Sequence, residues 1–193
     1  MKIAVISCIH SNYEALDAVL LDIDQQKAEK IFCLGDLVGY GPQPNAVVSQ
    51  IRSLDIPTCL GCWDEDIVEG LNTCDCSYPS LLAEKRGIQA QQWINQEIHS
   101  ENRELLAKLP YNLQLGNLAI VHGGPHSNHE YLLPEINSFI ALERVLSTGF
   151  LQVQIYYFVD ILMFLIVASL MRVNYRCELI VKKSPKTSVL QPL

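Results

Sequence analysis

Along the first two thirds of the chain, apolar residues come in short blocks, and each block closes on a small polar cluster. Residues 2–7, KIAVIS, form a nearly unbroken apolar run and predict a buried strand. Ser11 and Glu14 follow with capping-box spacing, and Leu16, Val19, Leu20 and Ile23 recur at helical intervals. A second strand, KIFCL at 30–34, ends at Gly35-Asp36, and the loop GYGPQP at 39–44 is rich in turn formers. Val47, Val48 and Ile51 mark one side of a helix from Ala46 to Leu54, and PTCLG at 57–61 predicts a third strand. The order β-α-β-α-β, with a polar turn after each strand, is that of doubly wound α/β folds, which build sites at strand C-termini.

Residues 64–80 show no period and many acids, so they read as irregular. Two helices are predicted over Ile88–Ile98 and Glu101–Leu109, then a hairpin of Leu113–Leu115 and Leu118–Val121 around Gly116-Asn117. The second hairpin strand runs into HGGPHSNHEYL at 122–132. The character changes at residue 150. FLQVQIYYFVDILMFLIVASLM, residues 150–171, is almost wholly apolar, and the remainder is mixed and basic. This stretch is long enough to span a membrane, but Asp160 near its middle costs about 2.5–3.5 kcal/mol on insertion scales. Gln152 and Gln154 weaken that reading further, and FVDILMFLIV reads equally as a buried strand, so no membrane partner is expected. The organisation expected is one domain over residues 1–149, with residues 150–193 as a divergent C-terminal segment of that same domain.

Composition narrows the function classes. Of 193 residues, 49% are hydrophobic and 18% charged, a globular balance, and the formal net charge is −7. No Lys/Arg run stands out except Lys182-Lys183, so the chain lacks the footprint of a free-standing nucleic-acid binder. An acidic surface still accommodates a small phosphorylated substrate where a metal supplies local positive charge. The seven cysteines are odd in number, and Met1 leads straight into a strand-like run without a signal peptide. Free thiols in a reducing, cytoplasmic compartment are therefore expected. Cys74-x-Cys76 is too tight for a zinc knuckle.

The chemistry gathers at the strand ends: Cys8 and His10, Asp36, Cys62 with Asp64, and His122. Each has an ordinary explanation. A lone histidine often caps or hydrogen-bonds, Asp36 after Gly35 can hold a turn, and His122 before Gly123-Gly124 can close one. Metal-ligand types at successive strand ends of one α/β fold nevertheless point to a shared site.

These residues carry a family resemblance. SCIHSNYEAL, CLGDLVGYGPQPN, LGCWDED and VHGGP, with the connecting TCDCSYP and SENRELLAKLP, resemble the calcineurin-like metallophosphoesterases, in particular the small bacterial phosphodiesterase branch. The resemblance covers residues 1 to about 135. It implies an α/β sandwich of mixed sheets flanked by helices, with its C-terminal part incomplete here. It also implies divalent cofactor ions (Mn, Fe, Mg or Zn), two of them about 3.5–4 Å apart, clamping a phosphate ester that water attacks. By the resemblance Asp36 is the bridging carboxylate, His10 belongs to the first metal and His122 to the second.

The chain departs from that pattern at several places. Cys8 stands where the family has its first aspartate, Cys62 where it has an asparagine, and Trp63 where many members have a histidine. The family closes its site with Gly-His-x-His. Here DILMF at 160–164 resembles the strand leading into that motif, but LIVASLMR follows, and no histidine occurs after His129. The segment reads either as a shifted or decayed reading frame or as a real divergent tail. Cys8 and Cys62 either ligate a softer ion as thiolates or merely fill space. Two Cys, two His and one Asp would suit a single zinc better than a hard-metal pair. Two readings of function follow. One is a metal-dependent phosphoesterase, a hydrolase of phosphodiesters or phosphomonoesters, with impaired or lost activity. The other is a non-catalytic phosphoesterase-like binding protein holding one zinc or none.

Overall fold

The computed structural model describes residues 2–73, 76, 78–115, 118–124, 126–130, 154–159, 162–166 and 178–181. Strand β1 (Lys2–Ile6) lies at the centre of a three-stranded parallel sheet. On one side it pairs with β2 (Lys30–Cys33) in the register Ile3 to Lys30 through Ile6 to Cys33. On the other it pairs with β7 (Glu178–Val181), Lys2 opposite Glu178. A second sheet has the order β3-β4-β5-β6. Strands β3 (Asn112–Leu115) and β4 (Leu118–Val121) form the expected antiparallel pair. Its Gly116-Asn117 turn lies outside the described residues. Strand β5 (Gln154–Val159) runs parallel to β4, and β6 (Leu162–Ile166) pairs antiparallel with β5.

The unbroken apolar run of β1 has a simple cause: both faces of its sheet are covered. Ala4 and Ile6 face a core shared with α1 (Tyr13–Gln25), α2 (Pro44–Ser53), α3 (Cys62–Glu69), α4 (Leu81–Glu97) and α5 (Ser100–Leu106). Ile3 and Val5 face the other way, packing with Phe32, Leu34, Cys59 and Ile120, so β4 closes that side. The protein is a mixed α/β fold of helices and small sheets.

Several expectations need correction. The third strand at 57–61 is a single parallel bridge, Cys33 to Thr58. Pro57 has no N–H to give, and the Leu60 N–H turns away to the Pro110 carbonyl at 2.8 Å. Residues 64–80 are not wholly irregular, because α3 spans Cys62–Glu69 and stops at Gly70, whose φ is 72°. Helix α4 begins at Leu81, well before Ile88, because the Ser80 hydroxyl caps the Ala83 N–H at 3.2 Å. The cap of α1 is Asn12, whose side chain accepts from the Ala15 N–H at 3.0 Å. Ser11 is fully buried, and its hydroxyl accepts the Gly39 N–H at 3.1 Å instead. The described part of the apolar stretch after residue 150 forms two antiparallel strands, β5 and β6, neither one long strand nor a spanning helix. Among the described residues, no helix is long and apolar enough to cross a membrane. Residues 160–161, 167–177 and 182–193, on which the tail readings rest, lie outside the described residues.

Cys8, Cys33, Cys59 and Cys62 carry free thiols. Cys76 does not: it is half of a disulfide whose other sulfur lies outside the described residues. This corrects the expectation of free thiols throughout. Spacing in sequence bears on zinc knuckles, whereas a disulfide depends only on two sulfurs meeting in space.

Ile120 of β4 fills the space between the sheets beside Ile3, Val5 and Phe32. Ile120→Ala is therefore expected to destabilise the fold by about 2–5 kcal/mol, lost transfer energy plus a cavity. Urea unfolding against the parent measures it, and a cost within about 0.5 kcal/mol would show that β4 does not seal that core.

Candidate metal centre

The loops after β1 and β2 interlock through their backbones. The Cys8 N–H donates to the Gly35 carbonyl at 3.2 Å, His10 N–H to Asp36 O at 2.9 Å, and Ser11 N–H to Leu37 O at 2.8 Å. To make these bonds the chain turns left-handed at Cys8, His10, Ser11 and Asp36, with φ of 54°, 48°, 60° and 56°. Such conformations cost roughly 1–2 kcal/mol each for residues with a Cβ. Their clustering at four positions of two facing loops marks a site over-determined by its surroundings.

Glycine makes the fit possible. A Cβ at Gly39 would collide with the His10 imidazole, and one at Gly61 would collide with the Asp36 backbone and carboxylate. The GDLVG loop can thus lie against His10, and the start of α3 against Asp36.

Asp36 is 3% exposed. Its Oδ1 accepts the Trp63 N–H at 3.0 Å, in the first turn of α3, where the helix end favours negative charge. Its Oδ2 points to a ring of donors: His122 Nε2 at 3.5 Å, His10 Nε2 at 3.6 Å and Cys62 Sγ at 3.8 Å. Cys8 completes the cluster, its thiol 3.5 Å from the Ser7 hydroxyl. The ligand atoms of Cys8, His10 and Asp36 lie within 4.8 Å of one another, as do those of Asp36, Cys62 and His122, so Asp36 is common to both groups. The structure thus brings together all five sequence candidates, Cys8, His10, Asp36, Cys62 and His122.

The imidazoles are oriented for ligation. His10 Nδ1 lies 3.1 Å from the Val38 carbonyl and His122 Nδ1 lies 2.8 Å from the Leu34 carbonyl. A carbonyl only accepts, so each Nδ1 carries the proton. That leaves Nε2 as the atom facing the Asp36 carboxylate, and a cation between them would be held by both. Donors about 2.1 Å from one ion stand about 3.4 Å apart at the tetrahedral angle. The observed 3.5–3.8 Å spacings are close to that, so the residues present fit a divalent ion.

The thiols set a condition. Burial, then the Asp36, Asp64 and Asp66 carboxylates, push Cys62 well above the usual thiol range. In the metal-free protein Cys62 is therefore a neutral thiol, and it becomes a ligand only when an ion displaces its proton.

Asp64 does not join the ring. It is fully buried, with Oδ1 accepting the Val38 N–H at 3.0 Å and Oδ2 accepting the Gly61 N–H at 3.1 Å. Burial, and then Asp36, raise its pKa against the pull of these bonds. Its role is to tie the GDLVG loop to the start of α3. Position N3 after a glycine cap was the sequence signal for that role. Ser11 and Gly61 were likewise missed, and only the loop geometry shows what they hold. Trp63 is buried against His10 and Tyr40, with ring centroids 5.8 and 4.5 Å away.

The ends of β1, β2 and β4 thus converge, with the start of α3, on a buried cluster of Asp, His and Cys side chains. Residues 1–145 match the profile of the calcineurin-like phosphoesterase superfamily domain, and the chain belongs to that superfamily, whose members are metal-dependent hydrolases. It is 40% identical over 139 residues to the uncharacterized protein MJ0912 of Methanocaldococcus jannaschii, a match covering 69% of this chain and 54% of that protein. It also resembles the crystal structure of a metallophosphoesterase from Sphaerobacter thermophilus, with 31% identity and a TM-score of 0.52. That match covers 67% of this chain and 50% of the other. The chain thus spans about half the length of each of these relatives.

Because a Gly61 Cβ would strike Asp36, Gly61→Ala is expected to weaken metal binding about tenfold or more while the protein still folds. Isothermal titration with Co2+ checks it. Unchanged affinity would mean that the Asp36 carboxylate is not held by this close approach.

Proposed function

We propose that the protein is a metal-binding phosphoesterase scaffold with impaired hydrolytic activity toward phosphodiesters or phosphomonoesters. One observation carries the reading: a single buried oxygen, Asp36 Oδ2, lies 3.5–3.8 Å from two imidazole nitrogens and a thiol. In the fuller architecture, the two sheets form a sandwich flanked by helices. Residues 150–193 would then form the last part of a domain begun in residues 1–149.

Asp36 would bridge or anchor the ion, with His10 and Cys8 on one side and His122 and Cys62 on the other. A bound divalent ion would supply a Lewis acid for a phosphate oxygen and acidify a water. The protein's own residues hold that place. The carbonyls of Val38 and Leu34 fix both histidine tautomers, and Trp63 and Tyr40 cover the His10 edge. The partner is a small phosphorylated molecule, since the cluster offers one carboxylate and otherwise neutral donors.

A second reading rests on the thiols. Cys8 and Cys62 make the donor set softer than carboxylate and amide would, which suits one zinc in a binding protein without turnover. The two readings diverge in one experiment. Parent and Cys8→Asp/Cys62→Asn chains are assayed with Mn2+ and with Zn2+ on a generic aryl phosphodiester. The double variant is expected to gain Mn2+ affinity at least about tenfold and to hydrolyse slowly, while the parent stays near background. Robust turnover by the parent with either ion would overturn impairment. Zinc retained by the parent, with no activity in either chain, would favour the binding protein.

Asp36 is the position on which either reading depends. Co2+ bound through Cys62 gives a thiolate charge-transfer absorption, and Asp36→Ala is expected to abolish it more completely than Cys8→Ala. An equal band in both variants would count against a centre built on Asp36.

A further inference from the structure

An aromatic side chain beside the Asp36 centre stands half outside the protein. Tyr40 is 52% exposed, although Val38 and Trp63 near it are buried. Its ring centroid lies 4.5 Å from that of Trp63, tilted by 56°, and 5.1 Å from that of His10, edge to face at 63°. Both spacings lie within the favourable range for aromatic pairs. Tyr78 meets the Tyr40 side chain with its hydroxyl. Tyr78 is in turn seated on α4, where a Cβ at Gly87 would strike that hydroxyl.

The backbone on either side of Tyr40 is fixed as well. The Gly39 N–H donates to Ser11 Oγ at 3.1 Å, and the Gly41 N–H donates to the His10 carbonyl at 2.7 Å. A Cβ at Gly39 would collide with the His10 imidazole, and one at Gly41 with the His10 and Ser11 carbonyls. An exposed tyrosine needs no explanation by itself. This one rests on Trp63 and His10, and both of its chain neighbours are clamped against the loop after β1. Its orientation is set before any ligand arrives, so little ordering cost would be deducted from a contact it makes.

His10 ties this ring to the centre. Its Nε2 faces Asp36 Oδ2 at 3.6 Å, while its ring touches Tyr40. The substituent of a phosphate ester held at the centre would have the Tyr40 ring as a neighbour. We propose that the exposed part of Tyr40 is a stacking platform that selects phosphate esters bearing a planar aromatic group. The proposal rests on the reading of the Asp36 centre as a metal-dependent phosphate site, and it names the substrate class for that site. A planar group offers a π-face to the ring, which an alkyl chain or a bare sugar lacks. A simple aryl ring and a nucleobase share this chemistry.

The test is equilibrium binding to the full chain saturated with Zn2+, read by isothermal titration. Two ligand pairs differ in the aromatic group alone: phenyl against ethyl phosphate, and adenosine 5′-monophosphate against ribose 5-phosphate. The parent is expected to bind the aromatic member of at least one pair about tenfold tighter. The pair that shows the gain tells an aryl source from a nucleobase. Tyr40→Ala is expected to reduce that ratio to about twofold or less, and Tyr40→Phe to keep it, since the ring and not the hydroxyl makes the stack. The ratio is taken within each variant, so a general loss of phosphate affinity cancels, and a cooperative melt verifies that each variant is folded. A parent ratio near one for both pairs would refute the platform and leave the Asp36 centre standing. A ratio kept by Tyr40→Ala, or lost in Tyr40→Phe, would also overturn it, because the selection would then lie elsewhere or in the hydroxyl. Inorganic phosphate bound no better with zinc than without it would instead sink the reading of the Asp36 centre, and the platform with it.

Discussion

The Asp36 carboxylate is the constraint around which the structure is arranged. One oxygen is tied to the first turn of α3, and the other faces donors from three separate segments. For that to happen, the loop after β1 must press against the loop after β2, and both against the start of α3. Gly39 and Gly61 give the space, and the left-handed turns at Cys8, His10, Ser11 and Asp36 give the direction. Asp64 then closes the arrangement by bonding Val38 on one side and Gly61 on the other. The covered faces of the parallel sheet provide the rigid base that tolerates this local strain.

Where the chain has strong periodicity, the fold was legible. β1, β2, the β3–β4 hairpin and the buried stripe of α1 follow from apolar runs and helical spacing. The candidate cluster was legible too, because ligand types recur at the ends of those runs, and the five residues fall into two adjacent groups that share Asp36. What escaped had weak local signals. Helix α3 is eight residues long, with acids scattered through a half-buried face, so its period is hidden. Asp64 looks like a ligand in sequence, and only the Val38 and Gly61 N–H groups pointing at it reveal an anchor. Ser11 looks like a helix cap, but tertiary bonding to Gly39 competes for its hydroxyl and wins. His129 lies in an aperiodic loop, and its partners sit on the helix that was not foreseen.

Helix α3 therefore has two chemical ends within a few residues. Its first turn presents Cys62 and the Trp63 N–H to Asp36, while its second presents Glu65 and Asp66 to His129. Since His122 and His129 belong to one loop, a small rotation of α3 against that loop would move both groups together. Packing of Ile67 and Trp63 in the helix-side core resists such rotation.

Charge counting also limits what the Asp36 centre can hold. Two dications bring four positive charges, and Asp36 is the only carboxylate among the five donors. Both thiols would have to ionise, and one excess positive charge would still remain. Cys62 resists ionisation, since burial and three neighbouring carboxylates hold its proton on. A single dication is a different case: Asp36 and one thiolate neutralise it, and two neutral imidazoles complete a tetrahedral shell. Cys8, where the family resemblance implies an acid, would then alter more than one ligand. The donor set would lack a permanent negative charge, and its electrostatics would suit one ion better than two.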